Sequence, residues 1–183
     1  MKASLGEILI PNAEIQRRVK ELAEAISRDY YEKDPIFIGV LKGAFIFMAD
    51  LLRSIPFSVY IDFMAVSSYG DSTETSGIVK IDKDLDMDIR NRHVLIVEDI
   101  IDSGLTLHYL LRILYSRGPA SLEVCTLLNK PTRRKVNIPI KYLGFDIPPE
   151  FVVGYGLDFA GKYRNLPDIY ILKIEETQVG SVI

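Results

Sequence analysis

Cys125 is the single cysteine of this 183-residue chain, so no disulfide can close within it. It lies in the apolar run 122–128 and reads as a reduced core thiol of a cytoplasmic protein. Histidine is nearly as scarce. His93 and His108 share no metal-ligand spacing, and neither lies close enough in sequence to Cys125 to suggest a Cys-His pair. No apolar stretch approaches the ~20 residues that a membrane helix needs. The N-terminal residues show no basic segment followed by an apolar one, so no signal peptide is expected. Basic residues are not in excess: the net charge of −3 argues against bulk nucleic-acid binding. No G-x-x-x-x-G-K-[ST] loop occurs, which removes the P-loop nucleotide binders. There is no internal repeat and no linker, so residues 1–183 read as one domain.

What remains is an ordinary globular composition, 48% hydrophobic and 26% charged, with strands and helices in alternation. Asn12 can cap a helix over 12–31, with Ile15, Val19, Leu22, Ala23, Ile26 and Tyr30 at helical spacing. Residues 36–41 form a short apolar strand, followed at once by Lys42-Gly43 and a buried helix over 44–52. A strand over 57–66 is rich in β-branched and aromatic residues. The polar, small-residue stretch 67–77 has no period and reads as a functional or disordered loop; 78–81 can pair as a short strand after it. A helix over 105–116 buries Leu107, Leu110, Leu111 and Leu114 and stops at Gly118-Pro119. Further strands are expected over 122–128, 140–145 and 169–174. The alternation predicts an α/β fold with a mainly parallel sheet.

Residues 94–106 carry the strongest signal: Val-Leu-Ile-Val, then Glu98-Asp99, Ile100-Ile101, Asp102, and the turn Ser103-Gly104-Leu105-Thr106. The apolar run reads as a strand buried on both faces, and the C-terminal ends of such strands are where open α/β sheets bind ligands. Carboxylates there need a hydroxyl, a metal or a cationic atom as partner. Glu98 and Asp99 would point to opposite faces of a regular strand, but near a strand end both can turn to one ligand. Together they suit the two hydroxyls of a ribose or a divalent cation. Ser103, Gly104 and Thr106 offer N–H groups and hydroxyls at the start of a helix, a cradle for phosphate. Asp102 can serve as that helix's cap.

This segment resembles the phosphoribosyl-diphosphate (PRPP) binding signature of type I phosphoribosyltransferases. Val40-Leu41-Lys42-Gly43, Ser68-Tyr69-Gly70, Lys130 and the run Phe151-Val152-Val153-Gly154-Tyr155-Gly156-Leu157-Asp158 follow the order and spacing of the hypoxanthine (hypoxanthine-guanine) branch. The resemblance spans nearly the whole chain. It implies the type I fold, with a mainly parallel sheet, a small hood from about 1–12 and 146–183, and a mobile lid over about 67–79. It implies transfer of 5-phosphoribosyl from PRPP to hypoxanthine, and to guanine, with release of pyrophosphate. It also implies Mg²⁺ as cofactor and a homodimer or homotetramer.

The resemblance implies roles residue by residue. Glu98 and Asp99 hold the ribose hydroxyls with Mg²⁺ nearby. Asp102 faces the purine and accepts the proton at the attacked nitrogen. Asp102, Ser103, Gly104, Leu105 and Thr106 bind the 5′-phosphate. Leu41, Lys42 and Gly43 bind pyrophosphate, through a cis peptide between Leu41 and Lys42, and Arg164 meets it too. Ser68 and Tyr69 belong to the lid. Lys130 donates to the exocyclic purine oxygen, Phe151 stacks on the ring, Val152 reads it through its backbone, and Asp158 binds a second Mg²⁺. Taken singly, Lys130 reads as a solvated strand-end lysine, Phe151 as core and Asp158 as a surface acid; their joint spacing makes the functional reading. Two positions depart from the common pattern. Ser103 stands where Thr is common and keeps the hydroxyl; Leu105 stands where some members carry Lys, shifting charge compensation to backbone N–H groups and Mg²⁺. The run Arg133-Arg134-Lys135 reads as a solvated face or subunit contact. The alternatives are a xanthine- or guanine-preferring enzyme, or a PRPP-sensing nucleic-acid-binding regulator of the same fold. The acidic balance disfavours the regulator.

Overall fold

The computed structural model describes residues 2–68 and 79–175. In chain order the elements are β1 (Lys2–Ile10), α1 (Asn12–Tyr30), β2 (Ile36–Leu41), α2 (Phe45–Arg53), β3 (Tyr60–Ser68) and β4 (Val79–Lys83). They continue as β5 (His93–Ile101), α3 (Leu105–Ser116), β6 (Ser121–Asn129), β7 (Tyr142–Asp146), β8 (Val152–Val153) and β9 (Ile169–Glu175).

The main sheet has the order β4-β3-β2-β5-β6-β7. Every pairing in it is parallel except that of β3 with β4. Side chains of successive strand residues face opposite ways, and the two cores divide accordingly. Phe37, Leu95, Val97 and Cys125 pack on the face covered by α1 and α2. Ile36, Ile38, Val94, Ile96 and Val124 pack on the face covered by α3. The continuous apolar runs are thus those of strands buried on both sides. The stripes predicted for α1 and α3 are buried in full.

Strand order also fixes where a ligand can bind. From β2 the chain passes through α2 to β3 on one side; from β5 it passes through α3 to β6 on the other. The two connections diverge, leaving a crevice at the C-terminal ends of neighbouring β2 and β5. Those ends carry Leu41-Lys42-Gly43 and Glu98 to Asp102.

A second sheet, β1-β9-β8, is antiparallel and joins the two ends of the described chain. β1 has no signal in the alternation of apolar residues: Leu5 and Ile8 are 41% and 49% exposed. Asn12 does not cap α1. The cap position is Pro11, and Asn12 instead bonds outward, its backbone N–H to Asp168 Oδ1 (2.7 Å) and its side chain to the Pro167 carbonyl (3.0 Å). These bonds tie the start of α1 to the segment before β9. The third strand begins at Tyr60 rather than at 57, and β7 begins at Tyr142 rather than at 140. No described helix is long and apolar enough to cross a membrane.

Candidate active site

β5 runs on through Ile101, pairing with β6 as far as Asn129, so Glu98 and Asp99 sit within the strand rather than at its end. They open onto different cavities. Glu98 lines one of about 130 Å³ with Asp102, Ser103, Gly104 and Thr106. Asp99 lines a neighbouring one of about 350 Å³ with Lys42, Gly43, Asp102, Lys130, Phe151, Val152, Asp158 and Arg164. Asp102 borders both. Most of the predicted site residues within the described segments therefore line these two cavities; Leu41, Ser68 and Leu105 line neither. Of the lid expected over about 67–79, residues 69–78, Tyr69 among them, lie outside the described residues; Ser68 ends β3 and Val79 begins β4.

Glu98 is buried, and burial together with the adjacent Asp99 charge pushes its carboxyl well above the ordinary range. Burial raises Asp99 as well, against an opposing bond from the Ile100 N–H to its Oδ1 (2.8 Å). A buried carboxylate pair held above its ordinary range gains from whatever supplies hydroxyl donors or positive charge. Asp99 also lies directly over Gly43, where a Cβ would overlap its Oδ2. Gly43 follows the Leu41–Lys42 peptide, which is cis. The pyrophosphate-loop candidate and the ribose-acid candidate are thus in contact.

The turn after β5 places Gly104 in the left-handed region (φ 81°), directly before α3. It provides the helix cap position, with no side-chain cap bond. Asp102 does not cap α3. Its Oδ2 accepts from Lys130 Nζ (3.1 Å) and its Oδ1 from Arg133 Nε (2.7 Å). Lys130 is 5% exposed, so it is no solvated strand-end lysine.

In the run 133–135, expected as a solvated face or subunit contact, Arg133 and Lys135 are exposed, and the segment also borders the turn after β5. Arg134 donates from Nε and Nη2 to Asn129 Oδ1 (3.0 and 2.7 Å), and Asn129 Nδ2 donates to Asp146 Oδ1 (2.5 Å). Arg134 also packs against Gly104, and the Lys135 N–H donates to the Ser103 carbonyl (2.9 Å). Arg133, Arg134 and Asn129 were not legible as site residues: a basic run next to a strand end looks alike whether it faces water or a neighbouring turn.

Phe151, which lines the same cavity, is 44% exposed and packs against Phe159 in a T-shaped pair, centroids 5.6 Å apart. Val152 is held by β9 through its pairing with Ile171. The turn 154–157 is closed by reciprocal bonds between Gly154 and Leu157. It is fastened to α2 by Tyr155, whose hydroxyl donates to Asp50 Oδ2 (2.6 Å). Asp158 Oδ1 pairs with Arg164 Nη2 (2.6 Å), and Arg164 Nη1 donates to the Gly156 carbonyl (2.7 Å). Among the described residues no three His, Cys, Asp or Glu side chains form one metal-ligating cluster. Glu98-Asp99 and Asp158 are separate acidic positions. Cys125 is fully buried in β6, and burial pushes its thiol up, as a core thiol requires.

A mainly parallel sheet with its crevice at two diverging strand ends thus brings together a glycine turn before α3, the adjacent acids Glu98 and Asp99, and the cations Lys42, Lys130 and Arg164. A sequence model described as the phosphoribosyl transferase domain matches residues 7–160, and the chain belongs to the phosphoribosyltransferase family. Within that family it is similar to the hypoxanthine-guanine phosphoribosyltransferase of Bacillus subtilis (strain 168), 52% identical over 173 residues, covering 94% of this chain and 96% of that one. It is 54% identical to the hypoxanthine phosphoribosyltransferase of Escherichia coli (strain K12) over 170 residues, 92% of this chain and 94% of that one. The crystal structure of a hypoxanthine phosphoribosyltransferase from Staphylococcus aureus superposes with a TM-score of 0.89 at 50% identity, covering 92% of each chain.

Proposed function

We propose that this protein is a purine salvage enzyme that moves 5-phosphoribosyl from PRPP to hypoxanthine, and to guanine, releasing pyrophosphate. One observation carries the reading. A single cavity is lined by Asp102, Lys130, Phe151 and Val152 together with Lys42, Gly43, Asp99, Asp158 and Arg164. A proton acceptor, an oxygen-reading cation and an aromatic ring thus share one cavity with groups that suit a ribosyl diphosphate.

The reaction forms a bond from a purine nitrogen to C1′ of the ribose and breaks the bond from C1′ to the pyrophosphate oxygen. Positive character grows at C1′ as negative charge grows on the leaving group. Lys130 donates to the exocyclic oxygen of the base, stabilising the charge left there as the ring nitrogen is deprotonated. Asp102 accepts that proton. Phe151 fixes the ring plane, so that the attacking nitrogen stays in line with C1′. The turn from Asp102 to Thr106 holds the 5′-phosphate with backbone N–H groups at the start of α3. Lys42 and Arg164 meet the departing pyrophosphate. Arg164 must then release Asp158, its partner here.

Mg²⁺ fits the donors present: buried Glu98 and half-buried Asp99 supply adjacent carboxylates, and Asp158 would supply another on the pyrophosphate side, where one or two carboxylates suffice for this ion. When bound, it neutralises charge on the diphosphate and the leaving group. The core thiol Cys125 accords with a reducing, cytoplasmic setting, and we expect a dimer or tetramer, which light scattering after gel filtration would read.

The deciding assay measures kcat/KM for hypoxanthine, guanine and xanthine with PRPP and Mg²⁺. Highest values for hypoxanthine, with guanine close behind, are expected, and chelation of the metal should abolish turnover. A chain that made no nucleotide from either base would not have this function. All three bases carry the 6-oxygen that Lys130 would read, so the order among them reports the groups around the 2-position.

A further inference from the structure

We propose that Arg133 is a positioning residue that occupies the proton-accepting oxygen of Asp102 until a free purine displaces it; the proposal rests on the function given above. Asp102 accepts from a cation on each oxygen, Lys130 Nζ on Oδ2 and Arg133 Nε on Oδ1. The two cations differ in how firmly they are held. The Lys130 side chain is 6% exposed, whereas that of Arg133 is 54% exposed. Arg133 contacts Asp102 through Nε alone, without the paired bonds of a guanidinium fork, so the contact is readily exchanged.

The backbone that carries Arg133 is fixed on both sides. Its N–H donates to the Lys130 carbonyl (3.1 Å). Beyond it, Arg134 is anchored on Asn129 and the Lys135 N–H on the Ser103 carbonyl. Only the side chain is free to leave, and it can return to the same place. Arg133 compensates the charge of a 39% exposed carboxylate and holds its plane. A free 6-oxopurine carries one imidazole N–H and needs an acceptor for it. The oxygen that can be vacated at least cost is Oδ1. A nucleotide carries no such proton, because its attacked nitrogen is already bonded to ribose. Arg133 should therefore compete with the free base and not with the nucleotide.

The test uses Arg133→Gln and Arg133→Lys in the intact chain. Exchange against a half-exposed ion pair corresponds to about two- to fivefold in an equilibrium. Arg133→Gln should lower KM for hypoxanthine by that factor at saturating PRPP and Mg²⁺. Arg133→Lys, which keeps a cation, should stay close to the parent. The dissociation constant of inosine 5′-monophosphate, measured by calorimetry, should be the same in all three. A hypoxanthine KM that is unchanged or raised in Arg133→Gln, or a nucleotide affinity that shifts with it, would overturn the proposal. A crystal structure with hypoxanthine and pyrophosphate bound gives a readout independent of turnover. Arg133 Nε should have left Asp102; an unbroken contact would also refute the idea. Absence of turnover in the parent chain would instead strike the function itself.

Discussion

The carboxylate of Asp99 lies against the α-carbon of Gly43, in the space where any side chain at position 43 would begin. One residue belongs to β5 and the other to the loop after β2, and the two strands are direct neighbours. The close approach puts the loop after β2 and Asp99 of β5 in contact at the edge of one cavity.

Gly43→Ala should therefore push Asp99 aside. A displacement of about 1 Å among reacting groups can cost on the order of 10²-fold in rate. We expect kcat/KM for PRPP to fall by at least about tenfold, with thermal stability little changed because Asp99 is a short side chain bordering a cavity. Parent-like kinetics would show that Asp99 works equally well from a shifted position.

How much of this was legible in the sequence follows from the range of each interaction. The strand β2 and the helix α3 were read to within a residue or two, because burial on both faces writes an uninterrupted apolar run and burial on one helix face writes a stripe; the end of β5 was read at Glu98-Asp99, where the apolar run breaks, whereas the strand continues to Ile101. Residues 98–106 could be singled out as a candidate ribose-phosphate site because the acids and the turn are contiguous. β1 was not readable as a strand, since it is half exposed and its pairing partner, β9, lies at the far end of the chain. The role of Arg133 was hidden for the same reason. Its contact with Asp102 spans 31 positions, and nothing local distinguishes it from a lysine or arginine facing water.

Asp102→Asn tests the proton acceptor. The amide keeps the shape but presents one oxygen in place of two, so it cannot accept from both Lys130 and Arg133, and it cannot take the purine proton. General-base assistance is worth about 10²- to 10⁴-fold. Turnover should fall in that range while KM for PRPP changes by only a small factor. Equal losses in both would mean that Asp102 serves binding alone.

Asp62 is expected to matter for stability without touching catalysis. It is 5% exposed, and its Oδ2 accepts from the backbone N–H groups of Asp86 (2.8 Å) and Met87 (3.0 Å). Its Oδ1 accepts from the Phe63 N–H (2.7 Å), with Lys83 at 3.6 Å. Asp62→Ala leaves these partners without their acceptor. With about 1–3 kcal/mol for each buried group left unpaired, a loss of roughly 2–4 kcal/mol follows. Urea titration would measure it, and kcat of the folded fraction should be that of the parent. An unchanged midpoint would mean that water replaces the carboxylate at no cost.

Lys130 separates reading the base from holding Asp102. Its ammonium is buried and already bonded to Asp102 Oδ2, so its removal has two consequences. Asp102 keeps only the exposed Arg133, and the purine oxygen loses its donor. The first weakens proton acceptance from every base alike. The second affects only bases that carry an oxygen at position 6, because a 6-amino group has no acceptor for an ammonium. Lys130→Ala should thus lower kcat/KM for hypoxanthine by about 10²-fold or more, as expected when a site built to bond one substrate group loses its partner. The ratio of hypoxanthine to adenine activity should collapse with it. If both activities fell in parallel and the ratio held, Lys130 would act through Asp102 alone, and recognition of the oxygen would pass to the backbone around Val152.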